Sequence, residues 1–243
     1  MTLTVADTAY SIAAIRADEH ELFEDPYAKH FAASGAHAEE GTRRYLSLPF
    51  FRDGVRLRTR YIDDAVREAV NGGFDQFVLL GAGFDARALR MPELAPKRVF
   101  EIDAPEQMER KREVLHRAGV TIPNTDVYVP SDFTIDGFAR ALAAAGFDRE
   151  RDAFFVWEGV IGYIDDAAID ANLRFMAAAA PRTRVVFTFG MEPFASRVSK
   201  LGFTVREELT LEAVWRRYLP GEPDAGASYS GIAIIESLRS KTD

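Results

Sequence analysis

Short apolar runs in this 243-residue chain end repeatedly on glycine or on an acid. The first such end is Leu80-Gly81-Ala82-Gly83-Phe84-Asp85, directly after the run Gln76–Leu80. Glycines at the carboxyl end of a strand let a ligand approach backbone that a Cβ would block. The helix that follows offers free N–H groups and a positive dipole end. Gly81, Gly83 and Ala86 also satisfy the dinucleotide pattern G-x-G-x-x-G/A, so the turn by itself does not choose a cofactor, and a tight strand–helix turn without a ligand fits as well. The second end, Phe100-Glu101-Ile102-Asp103, comes about twenty residues after the glycines, where a carboxylate accepts from both hydroxyls of a ribose. Alternation along a strand turns Glu101 and Asp103 to one side, and Asp103, nearer the end, is the preferred ligand; the other reading is a cap for the helix starting at Pro105.

Two further acids occupy corresponding places. Ser131-Asp132-Phe133 follows a third run, and Asp132 reads equally well as a helix cap. Glu158 directly follows Phe154-Phe155-Val156-Trp157, where a carboxylate needs a partner or solvent. Ligands of open α/β sheets bind outside the carboxyl ends of the strands. Carboxylates at three such ends suit a ligand with ribose hydroxyls, an exocyclic amine and an ammonium group.

The elements that must position these residues divide near residue 74. Upstream the patterns are helical. A helix from about Asp7 to Phe23 carries Ile12, Ile15, His20 and Phe23 on one stripe, Asp25-Pro26 opens a second, and a third runs from Val55 to Val70 before Asn71-Gly72-Gly73. Downstream, strand-like runs occupy Gln76–Leu80, Arg98–Ile102, Asp126–Val129, Ala153–Trp157, Arg184–Phe189, Phe203–Leu209 and Ser230–Ser237. Helical segments Pro105–Ala118, Asp136–Ala145 and Asp165–Ala179 separate the first five. This alternation predicts a doubly wound, seven-stranded, mostly parallel sheet covered on both faces. Leu219-Pro220-Gly221-Glu222-Pro223-Asp224 leaves no room for a crossover helix before Ser230, so the last strand is expected to run antiparallel. The whole chain reads as one domain, a helical cap over 1–73 and an α/β core over 74–243.

Composition narrows the function. A net charge of −8, from 30 basic and 38 acidic residues, lacks the basic footprint of a non-specific nucleic-acid binder. The densest basic cluster, Arg52, Arg56, Arg58 and Arg60, suits a small anionic group. The chain has no cysteine, which excludes disulfides, thiolate metal sites and a thiol nucleophile. No apolar run approaches the roughly 20 residues of a membrane span, and no secretory signal is read at the N-terminus, so a cytoplasmic location is the expectation. No cluster with metal-ligand spacing appears. His20, His30, His37 and His116 lie in helical or loop segments and read as surface or packing residues.

The ordered stretches Arg58-Thr59-Arg60, Leu80–Arg87, Phe100–Pro105 and Trp157–Ile164, with Asp25-Pro26 after the first helix, resemble the leucine carboxyl methyltransferase-like family from about residue 10 to about residue 180. That resemblance implies a Rossmann-like methyltransferase fold binding S-adenosylmethionine. It implies that Arg58 grips the cofactor's carboxylate, a task suited to a bidentate guanidinium, and that Arg60 on another helix face is structural. Gly81 would lie against the methionine part, with Ala82 and Gly83 in the same turn. Asp103 would hold the ribose, Asp132 with the Phe133 backbone the adenine, and Glu158 would face the ammonium region. A basic residue near the N-terminus assists the carboxylate in some members, and Arg16 is the candidate here.

The resemblance weakens after the fifth strand. Family members carry a longer insertion there, whereas Phe189-Gly190-Met191-Glu192-Pro193 passes quickly to Lys200-Leu201-Gly202-Phe203. A shortened lid implies a more open pocket, or one completed by a second subunit in a homodimer. The implied activity is an S-adenosylmethionine-dependent O-methyltransferase acting on a carboxylate or hydroxyl of a small molecule, a natural product. A carboxylate acceptor needs no general base, and a phenol or enol benefits from one. Tyr163, Tyr10 and Tyr27 are the aromatic candidates for the acceptor pocket. The competing reading is an NAD(P)-dependent oxidoreductase using Gly81, Gly83, Ala86 and Asp103; it leaves Arg58 and Glu158 without a task.

Overall fold

Strands buried on both faces require near-continuous apolar runs, and Gln76–Leu80 (β1) and Ala153–Trp157 (β4) are buried at every position. They form the centre of the sheet in a computed structural model that describes residues 5–34, 48–131, 138–190, 194–223 and 230–239. The sheet has seven strands in the order β3-β2-β1-β4-β5-β7-β6, with β2 over Arg98–Asp103, β3 over Asp126–Pro130, β5 over Arg182–Phe189, β6 over Thr204–Thr210 and β7 over Gly231–Leu238. Strands β1 to β5 pair in parallel, while β7 runs antiparallel between β5 and β6. The expected seven-stranded, mostly parallel sheet with an antiparallel last strand is what forms.

Helices cover both faces. Pro49–Asn71 (α3) begins with proline in its first turn and stops at Gly72, whose N–H donates to the Glu68 carbonyl at 2.8 Å. Its buried stripe joins Phe77, Leu79, Phe154 and Val156 on one face of the sheet. Ala139–Ala144 (α6) and Asp166–Ala177 (α7) cover the other face over Val78, Phe100, Phe155 and Trp157. A third cluster joins Ala13 of α1 (Val5–Ala17), Phe31 of α2 (Ala28–Ser34), Phe84, and Val114 and Leu115 of α5 (Pro105–Arg117). That cluster seats α1 and α2 at the carboxyl ends of the strands.

The structure corrects several sequence expectations. The first helix ends at Ala17 rather than Phe23, because the Glu19 carboxylate accepts from the Glu21 and Leu22 amides at 2.7 and 2.8 Å and turns the chain. His20 is exposed beside Glu24 instead of lying on an apolar stripe. Asp25 does accept from the Tyr27 and Ala28 amides, and α2 begins at Ala28. Short helices at Arg87–Arg90 (α4) and Ala195–Lys200 (α8) carried too few residues to show a period. A helix at Leu211–Tyr218 (α9) leaves β6, where the sequence reading had none. Thr210 caps it by accepting from the Ala213 amide at 3.2 Å, and its Leu211 and Val214 pack into the same cluster as α3. The chain can make this excursion because β6 and β7 are adjacent and need no crossover.

One buried charge cluster lies under β2 and β3. Lys111 is fully buried and donates to Glu101 and to the Asp85 carbonyl. Both carboxylate oxygens of Asp126 are buried there without a hydrogen-bond partner. Burial pushes the Asp126 carboxyl up to about 6, against the pull of Lys111. The folded protein therefore holds this proton more tightly than the unfolded chain, and stability falls as pH rises from about 4 to about 6. Asp126→Asn is expected to raise stability by about 1–3 kcal/mol at pH 7 and to change little near pH 4 in urea unfolding.

Candidate cofactor and active site

The carboxyl ends of β1 and β4 lie side by side where the sheet's winding reverses, the place where open α/β sheets bind ligands. Register pairs Leu80 with Ile102 and Leu79 with Val156, so Gly81 follows one residue after the first pair, as does Asp103. Gly81 and Glu158 each lie two residues beyond the second pair. A cavity of about 490 Å³ opens at this rim. It is lined by Gly81, Ala82 and Gly83, by Asp103 and Ser131, and by Glu158, while Arg58 of α3 and Arg16 of α1 reach in from the helical segment. Asp132 and Phe133 lie outside the described residues.

Gly81 has φ +64°, and a Cβ built there would run into the Val160 side chain on the opposite wall. Gly83, at φ +48°, donates its N–H to Asp103 Oδ2 at 2.7 Å, and Asp103 Oδ1 accepts from the Ala104 amide at 2.7 Å. Burial pushes the Asp103 carboxyl up, against these two amides. Each oxygen keeps a second lone pair for another donor. Glu101, by contrast, is fully buried against Lys111 and does not line the cavity.

Glu158 finds the partner its position demanded. Its Oε1 accepts from Arg58 Nε at 2.8 Å and its Oε2 from Arg87 Nη1 at 3.0 Å. Burial pushes this carboxyl up, but Arg87 and Arg58 outweigh burial and hold it below the usual range, so it stays ionised. Asp85 behaves alike: against burial, Arg87, Arg16 and Arg90 bring it down to about 2. Arg16, 5% exposed, donates to the Phe84 carbonyl at 2.6 Å and lies 3.6 Å from Asp25. Among the basic cluster of the sequence, only Arg58 lines the cavity. Arg56 pairs with Glu19, Glu21 and Asp53, and Arg60 with Asp64 and the Leu22 carbonyl. Arg52, Arg56 and Arg60 recur every four positions on one face of α3, and Arg58, two positions off that register, points away from them, so the four do not form one anion site.

The three tyrosines separate. Tyr163 lines the cavity and is 53% exposed, on a 3₁₀ turn at Ile161–Tyr163. Tyr10 and Tyr27 do not line it. Tyr10 packs on Phe84, ring centroids 5.0 Å apart, and Tyr27 packs against the same cluster, because that apolar surface seats α1 and α2. Of the histidines, His20 and His116 are exposed and His30 half-buried, none of them lining the cavity, and His37 lies outside the described residues. Among the described residues no group of three or more histidines or acids is placed to hold a metal, and no helix is long and apolar enough to cross a membrane.

Sequence reasoning quoted Asp85 and Arg87 in a motif without assigning them a task, and missed Asp63 altogether. Asp63 does carry a signal. It stands four residues after Thr59 and three before Val66, both buried, so a carboxylate sits inside the packed face of α3.

Residues 4–177 match the leucine carboxyl methyltransferase family. This chain belongs to that family. Among its relatives, a protein of Streptomyces coelicolor named provisionally as an S-adenosyl-L-methionine-dependent methyltransferase is 34% identical over 197 residues, covering 75% of this chain and 68% of the relative. A protein of Frankia alni with the same provisional name is 33% identical over 205 residues, covering 78% and 70%. A crystal structure of a methyltransferase, likewise provisionally named, from Thermobifida fusca shares the fold with TM-score 0.62 at 13% identity, covering 97% of this chain and 95% of that one. A DUF574 family protein from Streptomyces avermitilis does so with TM-score 0.60 at 14% identity, covering 95% and 97%. The methyltransferase class and the S-adenosylmethionine cofactor expected from the sequence stand with this membership.

Gly81→Ala is expected to cost about 1–2 kcal/mol from the left-handed backbone, plus the contact with Val160. A lowered Tm that Val160→Ala partly restores in the double variant separates the two contributions.

Proposed function

We propose that this methyltransferase binds S-adenosylmethionine across β2, β1 and β4 and transfers its methyl group to a carboxylate or hydroxyl oxygen of a small molecule, a natural product. One observation carries the reading: the rim cavity presents Arg58 beside Glu158 at the end of β4 and Asp103 at the end of β2, with a glycine turn between. Strands β2 and β4 flank β1, so these groups are separated by two strand spacings, about 10 Å. A zwitterionic amino-acid tail and a ribose need charges of both signs at one end and a paired acceptor at the other. The donor set fits that ligand.

In this reading Arg58 and Arg16 hold the tail carboxylate, and Glu158, kept ionised by Arg87 and Arg58, accepts from the ammonium group. Asp103 receives the ribose hydroxyls on the lone pairs that Gly83 and Ala104 leave. The backbone of Gly81, Ala82 and Gly83 admits the nucleoside, and Asp132 with Phe133 completes the adenine side. The cofactor supplies a methyl group already activated by its sulfonium charge. The protein's work is then alignment and exclusion of water, and alignment alone is worth on the order of 7–11 kcal/mol.

The family is named for carboxyl methylation, which favours oxygen as the acceptor atom. An ionised carboxylate needs no proton removed before it attacks. Tyr163, with Ile12, Val160 and Ile164, gives the cavity an apolar, partly open wall that suits an acceptor with an apolar or aromatic body.

Transfer of labelled methyl from S-adenosylmethionine to a panel of carboxylic acids and phenols tests the proposal, with NAD(H) titration as the control. Binding of NAD(H) without S-adenosylhomocysteine would reverse it in favour of the oxidoreductase. Arg58→Ala and Asp103→Ala are each expected to weaken S-adenosylhomocysteine at least about tenfold in calorimetric titration, the loss of one charge-assisted contact. Unchanged affinity in folded variants would remove the assignment.

A further inference from the structure

An alternating path of buried charge runs beneath the cavity and surfaces in it at both ends. From Glu158 it passes to Arg87, whose Nη1 donates to that carboxylate and to Asp85. Arg87 Nε donates to Asp63 Oδ1 at 2.8 Å. Asp63 also accepts from both terminal nitrogens of Arg90, at 2.7 Å each. Arg90 Nε lies 3.8 Å from Asp25 Oδ2, which lies 3.6 Å from Arg16 Nε. Arg16 and Glu158 line the cavity; Asp25, Asp63, Arg87 and Arg90 do not.

We propose that Asp63 is a positioning residue for the cofactor's amino-acid tail, aiming Glu158 through Arg87 and Arg16 through Arg90 and Asp25. The inference rests on the reading that S-adenosylmethionine occupies this cavity.

The geometry at Asp63 carries it. The Asp63 side chain has no solvent exposure, nor has that of Arg87. A guanidinium is a rigid plane, so a bond at Nε to Asp63 and another at Nη1 to Glu158 fix its orientation completely. Without the Asp63 charge, Arg87 keeps only Glu158 and Asp85 as anionic partners and swings toward them, which draws Glu158 away from the cavity. Arg90 loses its anchor in the same event, and two buried guanidiniums are left facing each other.

The other branch is poised rather than closed. Arg16 Nε, Asp25 Oδ2 and Arg90 Nε are all buried without a hydrogen-bond partner. Their separations of 3.6 and 3.8 Å exceed the charge-assisted distance of about 2.8 Å by about 1 Å. A displacement of that size completes both bonds, and it moves Arg16 on the cavity wall. Asp63 thus joins the two sides of the tail site through groups that never touch the ligand.

The test compares two ligands. S-adenosylhomocysteine carries the amino-acid tail; 5′-methylthioadenosine shares its nucleoside and thioether but lacks the tail. Asp63→Asn is expected to weaken the first at least about tenfold and to leave the second within about twofold. In a Glu158→Gln background the same substitution is expected to cost less than in the wild type, since one of the two branches it serves is already gone. Equal losses for both ligands, unchanged affinities, or full additivity with Glu158→Gln each overturn the inference. Wild-type protein that binds neither ligand defeats the cofactor reading itself, a separate outcome. If Asp63→Asn does not fold, Arg90→Lys keeps the charge but not the fork, and must show the same tail-selective loss.

Discussion

A guanidinium with no solvent exposure sets the strictest condition in this fold. Arg87 opens α4, four residues after Gly83, and its charge has to be met inside the protein. Asp63 from α3, Asp85 from the glycine turn and Glu158 from the end of β4 meet it. Burial opposes the charge on Arg87, and these three carboxylates outweigh burial. Buried ion pairs contribute little net stability, because desolvation consumes most of the attraction, yet removal of one partner is costly. Their consequence is geometric. Three segments distant in sequence are forced to one point, and that point lies directly behind the cavity wall.

The sheet supplies the rest of the cleft. Winding outward from β1 in one direction and from β4 in the other leaves a gap between their carboxyl ends. The gap is roofed by α1, held down by Tyr10 packed on Phe84, ring centroids 5.0 Å apart, and by Arg16 on the Phe84 carbonyl. Phe84 belongs to the glycine turn itself. Floor and roof are therefore tied through one residue, and any movement of α1 is felt where the glycines face the cavity.

Much of this was legible in the residue order. The strand-like runs fall within two residues of β1 to β7, because buried parallel strands demand apolar runs with turn residues at their ends. The glycine turn and the acids of Asp103 and Glu158 were readable for the same reason: a strand end is a local feature, and a carboxylate or a bare Cα there has few structural uses. Short elements escaped. At four to eight residues, α4, α8 and α9 present too few turns for a period to stand out, and what fixes α9 is its packing on α3 rather than its own pattern.

By itself, then, the sequence determined the succession of the strands along the chain, the strand ends that carry the glycines and acids, and the family to which the chain belongs. Those follow from local periodicity and from short motifs, and neither needs a distant partner. Tertiary structure decided which charges meet. Arg58 and Glu158 stand 100 positions apart and Arg87 and Glu158 71, and no spacing rule links them. It also decided that Arg56 and Arg60 serve ion pairs outside the cavity while Arg58 reaches it, and that Tyr10 packs α1 onto Phe84 while Tyr163 lines the cavity wall. An ionised side chain takes its role from the dielectric and the counter-charges around it, and only the packed chain supplies these.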